Sequence, residues 1–351
     1  MRAYSKRITW AGYAIFLVLS LAAGFVGAEG LSRIVVPQCA PKSARSTDFW
    51  QFHPRYGWAH IPEKVGRFSS FGFDTEIKIN QKGFRGSEVA YERSDKPRIV
   101  VLGDSFVWGF GVEESEMFTS VLKTLVPDVE IVNLGVNAYS TDQELLLYVE
   151  EGRKYSADLI ILVVSDNDFT DNARSMVSHI YAKPLFSMNA GTVVLSDPII
   201  QEPPFLKRVL VKSASRSYLL TCANRYLEVS RVEETRGYRR DEEKPFPRSY
   251  AQELTMNLIL ELHKQISNDG ARMLVIFADG MLQAEEAASY LKPYDISSEV
   301  LDHYMNLSDA TLHLPQDFHW NAKGHRLVAD VISKRLSQQL KPSVAVSEQG
   351  K

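Results

Sequence analysis

The 351-residue chain has only two cysteines, Cys39 and Cys222, far apart and outside any C-x-x-C spacing. No zinc or thioredoxin-like pattern can be built from them. One disulfide is open to the pair in an oxidising compartment, but two buried free thiols are the preferred reading. Nor is there an excess of charge of one sign. The 40 basic and 43 acidic residues are mixed along the chain, for a formal net charge of −3. Nucleic-acid recognition calls for a basic stripe or domain, and none stands out. No internal repeat is visible. Three familiar motifs each lack a necessary part. Gly109-Phe110-Gly111 lacks the third glycine of a dinucleotide fingerprint. Asp166, Asp168 and Asp171 lack the turn glycine and terminal glutamate of a calcium loop. Val107 stands where the Gly-x-Ser-x-Gly elbow of α/β-hydrolases needs its last glycine. No cofactor and no metal ion is expected.

What is present falls into three textures. The composition, 45% hydrophobic and 24% charged, supports one sizeable core with attachments. Arg2, Lys6 and Arg7 precede an uncharged run from Ile8 to Ala28. About 21 helical residues span roughly 30 Å, the thickness of a bilayer's hydrocarbon core. Trp10 and Tyr13 suit an interfacial anchor. Residues 1–28 are therefore read as an uncleaved single-pass membrane anchor. The competing reading is a cleaved signal peptide, with Val26-Gly27-Ala28 as its small-residue site. Either way the basic residues stay inside and the remainder lies on the extracytoplasmic, periplasmic side. Residues 29–96 show no helical period. They carry aromatics, a short alternating strand pattern over 75–80 and a Gly-rich turn at 82–86, and read as an irregular extension packed on the main domain.

From 97 to 340 the texture is regular. Short apolar runs at 98–102, 129–134, 158–164 and 272–278 lack alternation, as strands buried on both faces do. Helical patterns at 117–125, 142–155, 252–266 and 321–340 lie between and after them. Strands alternating with helices predict an α/β domain: a three-layer α/β/α arrangement around a mostly parallel sheet. Residues 173–250 interrupt the alternation with a hairpin turning at Asn189-Ala190-Gly191 and a helix near 215–229. A polar tail, 341–351, is expected to be disordered.

Active sites of open parallel sheets form outside the carboxyl ends of the strands. There the chain carries Gly103-Asp104-Ser105, then Asn133-Leu134-Gly135-Val136-Asn137-Ala138, then Ser165-Asp166-Asn167-Asp168. Just before the last helix it carries Gln316-Asp317-Phe318-His319-Trp320. A nucleophile, backbone turns, an amide and an Asp/His pair on one edge are the inventory of acyl transfer. These blocks resemble the SGNH/GDSL hydrolase superfamily over residues 97–340, which implies a flavodoxin-like SGNH hydrolase fold. Carried over, Ser105 is the nucleophile and its N–H an oxyanion donor. The second block's glycine donor aligns with Ala138, and Asn167 supplies an amide, with Ser165 in place of the third block's first glycine. The last block departs most. The family has Asp-x-x-His, whereas here Gln316 stands three before His319 and Asp317 two before. In an extended segment both could reach the site. His325 reads as structural, and His303 and His313 have no motif context.

The resemblance thus implies a serine esterase with catalytic Ser105, His319 and Asp317 and an oxyanion hole of Ser105, Ala138 and Asn167. With the anchor, it implies an acyl, possibly acetyl, ester on an extracytoplasmic carbohydrate as substrate. Two rivals stand beside it. One is an O-acyltransferase of a cell-surface polysaccharide; alginate-acetylation relatives use an Asp-x-His pair, but there it precedes the serine. The other is a non-catalytic polysaccharide-binding or assembly protein of the same fold.

Overall fold

In the computed structural model the residues described are 2–35, 49–70, 72–175, 177, 181–196, 199–206, 209, 217, 219, 220, 247, 249–315 and 317–339. They fall into two units, 1–47 with 204–239, and 48–203 with 240–351. Cys39, Cys222, Gln316, most of the expected 215–229 helix and the tail lie outside the described residues.

The first unit contains helix α1, Arg2–Val35. Its stretch Gly12–Val35 is long and apolar enough to cross a membrane. The helix continues past 28, where the sequence reading ends the segment. Leu31, Ile34 and Val35 extend its apolar character, and the i,i+4 pair Glu29–Arg33 (3.3 Å) supports the last turns. Within this unit the Glu29 carboxylate also accepts hydrogen bonds from Ser217 Oγ (2.7 Å) and Leu219 N (3.1 Å).

The second unit opens with two antiparallel hairpins. β1 (Trp50–His53) pairs with β2 (Gly57–His60), and β3 (Val65–Ser70) with β4 (Phe73–Lys78). The extension is therefore more regular than expected. Thr75 and Ile77 point inward from β4, and Phe49, Phe68, Ile77 and Ile79 form a small core with Trp108, Phe110 and Leu314. That core is aromatic, and its residues are too dispersed in sequence to form a clear period.

The rest of the unit alternates. Its elements are β5 (Arg98–Leu102), α2 (Ser105–Trp108), α3 (Phe118–Leu125), β6 (Glu130–Asn133), α4 (Thr141–Glu150), β7 (Leu159–Val164), α5 (Asp168–Asp171), β8 (Phe186–Asn189) and β9 (Thr192–Leu195). They are followed by α6 (Tyr250–Asn268), β10 (Arg272–Phe277), α7 (Ala284–Leu291), β11 (Ser297–Val300) and α8 (Ala322–Gln339). Five strands make one parallel sheet in the order β11-β10-β7-β5-β6. Numbered within the sheet this is 2-1-3-4-5, the flavodoxin-like order. Side chains alternate across it. Val100, Leu102, Ile160, Leu162 and Val164 pack with α4 and α6 on one face. Ile99, Val101, Ile161 and Val163 pack with α3 and α8 on the other. Every residue of β7 is buried, which is why its sequence shows no polar alternation. Each such aliphatic side chain contributes roughly 1.5–3 kcal/mol of transfer free energy.

Two details bear on the sequence reading. The β8–β9 hairpin turns through Ala190 and Gly191, both at positive φ (49° and 80°), as a two-residue hairpin loop requires. The fifth strand, β11, is Ser-Ser-Glu-Val and escapes an apolar-run criterion, because it is a short edge strand with Glu299 paired to Arg335.

Candidate active site

The strand order reverses between β5 and β7, and the crevice outside their carboxyl ends is where an open sheet places ligands. Ser105 stands there as the first residue of α2, one residue after Asp104, whose carboxylate caps the helix by accepting the Phe106 N–H (3.0 Å). Its Oγ lies 2.7 Å from His319 Nε2, and His319 Nδ1 lies 2.6 Å from Asp317 Oδ1. Ser105 and His319 are each 7% exposed. Three residues that the motif blocks single out are thus in direct contact, across 214 positions of sequence.

Local hydrogen bonds close the chain around His319. Leu314 N donates to His319 O (2.8 Å) and Asp317 N to Leu314 O (3.2 Å). Asp317 Oδ1 also accepts the His319 N–H (3.0 Å), a side-chain-to-backbone closure typical of aspartate two residues back. One carboxylate oxygen therefore shapes the turn and meets the ring. Aromatic rings hold the imidazole's plane. Phe110 stacks on it at 4.2 Å between centroids and Phe318 at 4.4 Å. Phe110 reaches it because Gly109 and Gly111 adopt positive φ; at Gly111 a Cβ would sit 2.3 Å from Leu314 Cδ1. The Gly-Phe-Gly that fails as a nucleotide motif serves here as the turn presenting Phe110.

The loop after β6 carries Ala138. It runs close to α2, since a Cβ on Gly135 would lie 2.5 Å from Trp108 N. Asn133 holds both sides, its amide donating to Val107 O (3.0 Å) and its Oδ1 accepting the Gly135 N–H (2.8 Å). Ala138 is left-handed (φ 64°). Among the described residues neither its N–H nor that of Ser105 has an acceptor. Asn167 follows β7, and its Oδ1 lies 2.6 Å from Ser165 Oγ, which is also 2.6 Å from Asp104 Oδ2. Ser165 thus ties the Asn167 amide to Asp104, the residue beside Ser105.

Beneath this edge lies a layer of buried acids. Asp168 accepts from Thr141 N (2.8 Å), Thr141 Oγ1 (3.1 Å) and Ser165 N (2.9 Å). Asp142 pairs with Lys183 at 2.6 Å, both side chains fully enclosed. Burial pushes the Asp104 carboxyl up, against the donors Ser165 and Phe106 N–H. Glu144 is fully buried, with no hydrogen-bond partner on either oxygen among the described residues, and desolvation, with Asp168, Asp104 and Asp142 nearby, holds it well above the usual carboxylate range.

The remaining histidines separate by environment. His325 is buried, its Nδ1 accepts the Phe118 N–H (3.2 Å), and burial lowers it to about 3. His303 is exposed against Glu285. His313 belongs to an arrangement that motif reading misses. Asp279, two residues past β10, meets His313 Nε2 at 2.9 Å and accepts the Trp320 indole N–H at 2.6 Å. It ties both ends of the His319 segment to the sheet. Its position at a strand's carboxyl end was the available signal. Among the described residues no cluster of His, Cys, Asp and Glu could hold a metal ion.

No protein-family model and no curated protein matches the chain. Among solved structures it is similar to a cold-adapted esterase from Pseudoalteromonas (10% identity, TM-score 0.42, covering 70% of this chain and 99% of that one). It is also similar to a GDSL-like lipase from Bacteroides thetaiotaomicron (10%, 0.39, 72% and 93%). A third is a two-domain esterase active on acetylated mannans (12%, 0.39), of which this chain spans 49%. Over roughly 70% of its length the chain is thus similar to GDSL-type esterases and lipases.

Proposed function

We propose that the chain is a serine esterase of the SGNH/GDSL kind. The observation that carries the reading is the continuous contact Ser105 Oγ–His319 Nε2–His319 Nδ1–Asp317 Oδ1, at 2.7 and 2.6 Å. A hydroxyl facing Nε2 donates to it, so Nε2 offers the lone pair and Nδ1 carries the hydrogen given to Asp317. His319 takes the Ser105 proton as the oxygen attacks an ester carbonyl, then returns it to the leaving alcohol. Water resolves the acyl-enzyme by the same route in reverse. The N–H groups of Ser105 and Ala138, with the Asn167 amide, receive the oxyanion, and losing one such donor costs about 10²–10³-fold in turnover.

The substrate we assign is an acyl ester, with acetyl the first candidate, on carbohydrate outside the cytoplasm. It follows from the motif resemblance together with α1. Arg2, Lys6 and Arg7 precede its apolar stretch, so the second unit lies on the extracytoplasmic side of the membrane.

A fluorophosphonate tests the activity directly. The adduct should appear on Ser105 by mass spectrometry and vanish in Ser105→Ala, with p-nitrophenyl acetate hydrolysis lost in parallel. An adduct on another serine, or folded protein that neither labels nor hydrolyses, removes the proposal. Protease added to spheroplasts should cut the catalytic unit, and a protected unit would reverse the topology.

A further inference from the structure

We propose that Trp58, from the N-terminal hairpin, is a positioning residue that aims the Ala138 N–H at the oxyanion. This rests on the esterase reading and goes beyond it, because Trp58 lies outside the stretch in which the motif blocks fall.

The argument starts from one peptide unit. Asn137 C=O and Ala138 N–H belong to the same planar group, in which a trans bond points the two in opposite directions. Trp58, 3% exposed on β2, donates its indole N–H to Asn137 O at 3.2 Å. Holding that oxygen fixes the direction of the Ala138 N–H, away from Trp58. The bond also polarises the peptide and makes its N–H a better donor. The far side of Ala138 is held by the same residue. Tyr139 donates its hydroxyl to Trp58 O at 2.5 Å, and the two rings meet edge to face at 5.5 Å. One turn later Gln143 Nε2 donates to Tyr56 O at 2.6 Å.

The clamp encloses a residue that needs one. A left-handed conformation is disfavoured for any residue with a Cβ, and Ala138 adopts it at φ 64°. Glycine would sit there without help. With alanine, the surrounding bonds must over-determine the turn, and Trp58 contributes to both sides of it. The loop has a turn bond of its own, Tyr139 N to Val136 O (3.1 Å), which closes over Asn137 and Ala138, and two tethers toward the sheet: Val136 N to Gly103 O (3.1 Å) and Gly135 N to Asn133 Oδ1 (2.8 Å). The turn bond leaves the Asn137 carbonyl to Trp58, and the two tethers lie before it. The extension is therefore part of the catalytic apparatus, and α1 connects to a segment that shapes the oxyanion site.

The test uses the full-length chain in detergent, with p-nitrophenyl acetate as substrate and a fluorophosphonate as probe. Trp58→Phe keeps an aromatic ring and removes the donor together with part of the indole's volume, so its Tm is measured alongside. The substitution should lower kcat about five- to tenfold, since the Ala138 N–H stays but loses its aim. KM should stay within about twofold, because ground-state binding does not use the oxyanion hole. Fluorophosphonate inactivation should slow by a similar factor, as the phosphonyl oxygen occupies the same hole. Tyr139→Phe should act in the same direction by a smaller factor, and it carries the test if Trp58→Phe does not fold. The proposal is overturned if kcat is unchanged in the folded variants. It is equally overturned if kcat falls only in step with a lowered Tm or a raised KM, which is what a merely structural tryptophan gives. Wild-type protein that hydrolyses and labels on Ser105 while Trp58→Phe is silent defeats this inference alone. Wild-type protein that does neither defeats the esterase reading.

Discussion

Two histidine–carboxylate pairs lie six residues apart, and they are built for different work. His313–Asp279 is the more buried, at 2.9 Å with side chains 3% and 0% exposed. His319–Asp317 is shorter, 2.6 Å, and more open, at 9% and 29%. What separates them is the second ring nitrogen. His313 Nδ1 faces the Asp309 carbonyl at 2.9 Å, so both of its nitrogens meet acceptors and neither faces a group that could give it a proton. His319 Nε2 faces a hydroxyl, which can give it a proton. Burial and a carboxylate are common to both histidines; a hydroxyl in front of the second nitrogen belongs to His319 alone.

The comparison breaks or holds on two matched substitutions, which carry the largest expected effects. Asp317→Asn should reduce kcat by about 10²–10⁴-fold with Tm nearly unchanged, because the amide no longer enforces the Nδ1–H tautomer. The lower end is expected, since this carboxylate is partly solvated. Asp279→Asn should do the reverse. Its two oxygens face two N–H donors, so one of them would meet an amide N–H instead, and breaking such a buried pair costs about 3–5 kcal/mol. Urea denaturation and steady-state kinetics on both variants decide it. Equal kinetic losses in the two, or a silent Asp317→Asn, would erase the distinction drawn here.

How much of this was legible in the sequence follows from range. The strands of the sheet were legible because continuous burial on both faces leaves unbroken runs such as Leu159–Val164. Ser105 and His319, which lie 2.7 Å apart, stand in sequence blocks after the first sheet strand and before the last helix. Asp279 was legible only as an aspartate at a strand's carboxyl end; nothing local names its partners, 34 and 41 positions away. Trp58 was hidden for the same reason, 79 positions from Asn137. The closure of Asp317 onto the His319 N–H was hidden as well, because spacing alone does not reveal a side-chain-to-backbone contact.

A carboxylate with no partner extends the series. Neither oxygen of Glu144 is hydrogen-bonded among the described residues, and its titration is raised. The fold keeps the acid form while the unfolded chain ionises near 4.3. Its contribution is thus fully favourable below that value and erodes as pH rises toward the folded pKa. Glu144→Gln mimics the acid form and removes the dependence. The stability difference, variant minus wild type, should grow in the variant's favour by up to about 1.4 kcal/mol per pH unit as pH rises above the unfolded value toward the folded one. A difference that stays flat with pH would mean Glu144 is ionised in the fold.

The smallest effect belongs to a third histidine pair. His303 and Glu285 approach to 2.5 Å, closer than either buried pair, yet their side chains are 56% and 64% exposed. If distance set the worth of a pair, Glu285→Gln would be the most damaging of these substitutions. Solvent argues otherwise. Water screens the charges, the free side chains are well hydrated, and ordering both costs conformational entropy, so exposed pairs contribute about 0–1 kcal/mol. Glu285→Gln should therefore leave Tm within about 2 °C and kcat unchanged, with no added loss in high salt. A drop comparable to that of Asp279→Asn would show that contact distance outweighs environment, and the reading of His313 and His319 by their surroundings would lose its basis.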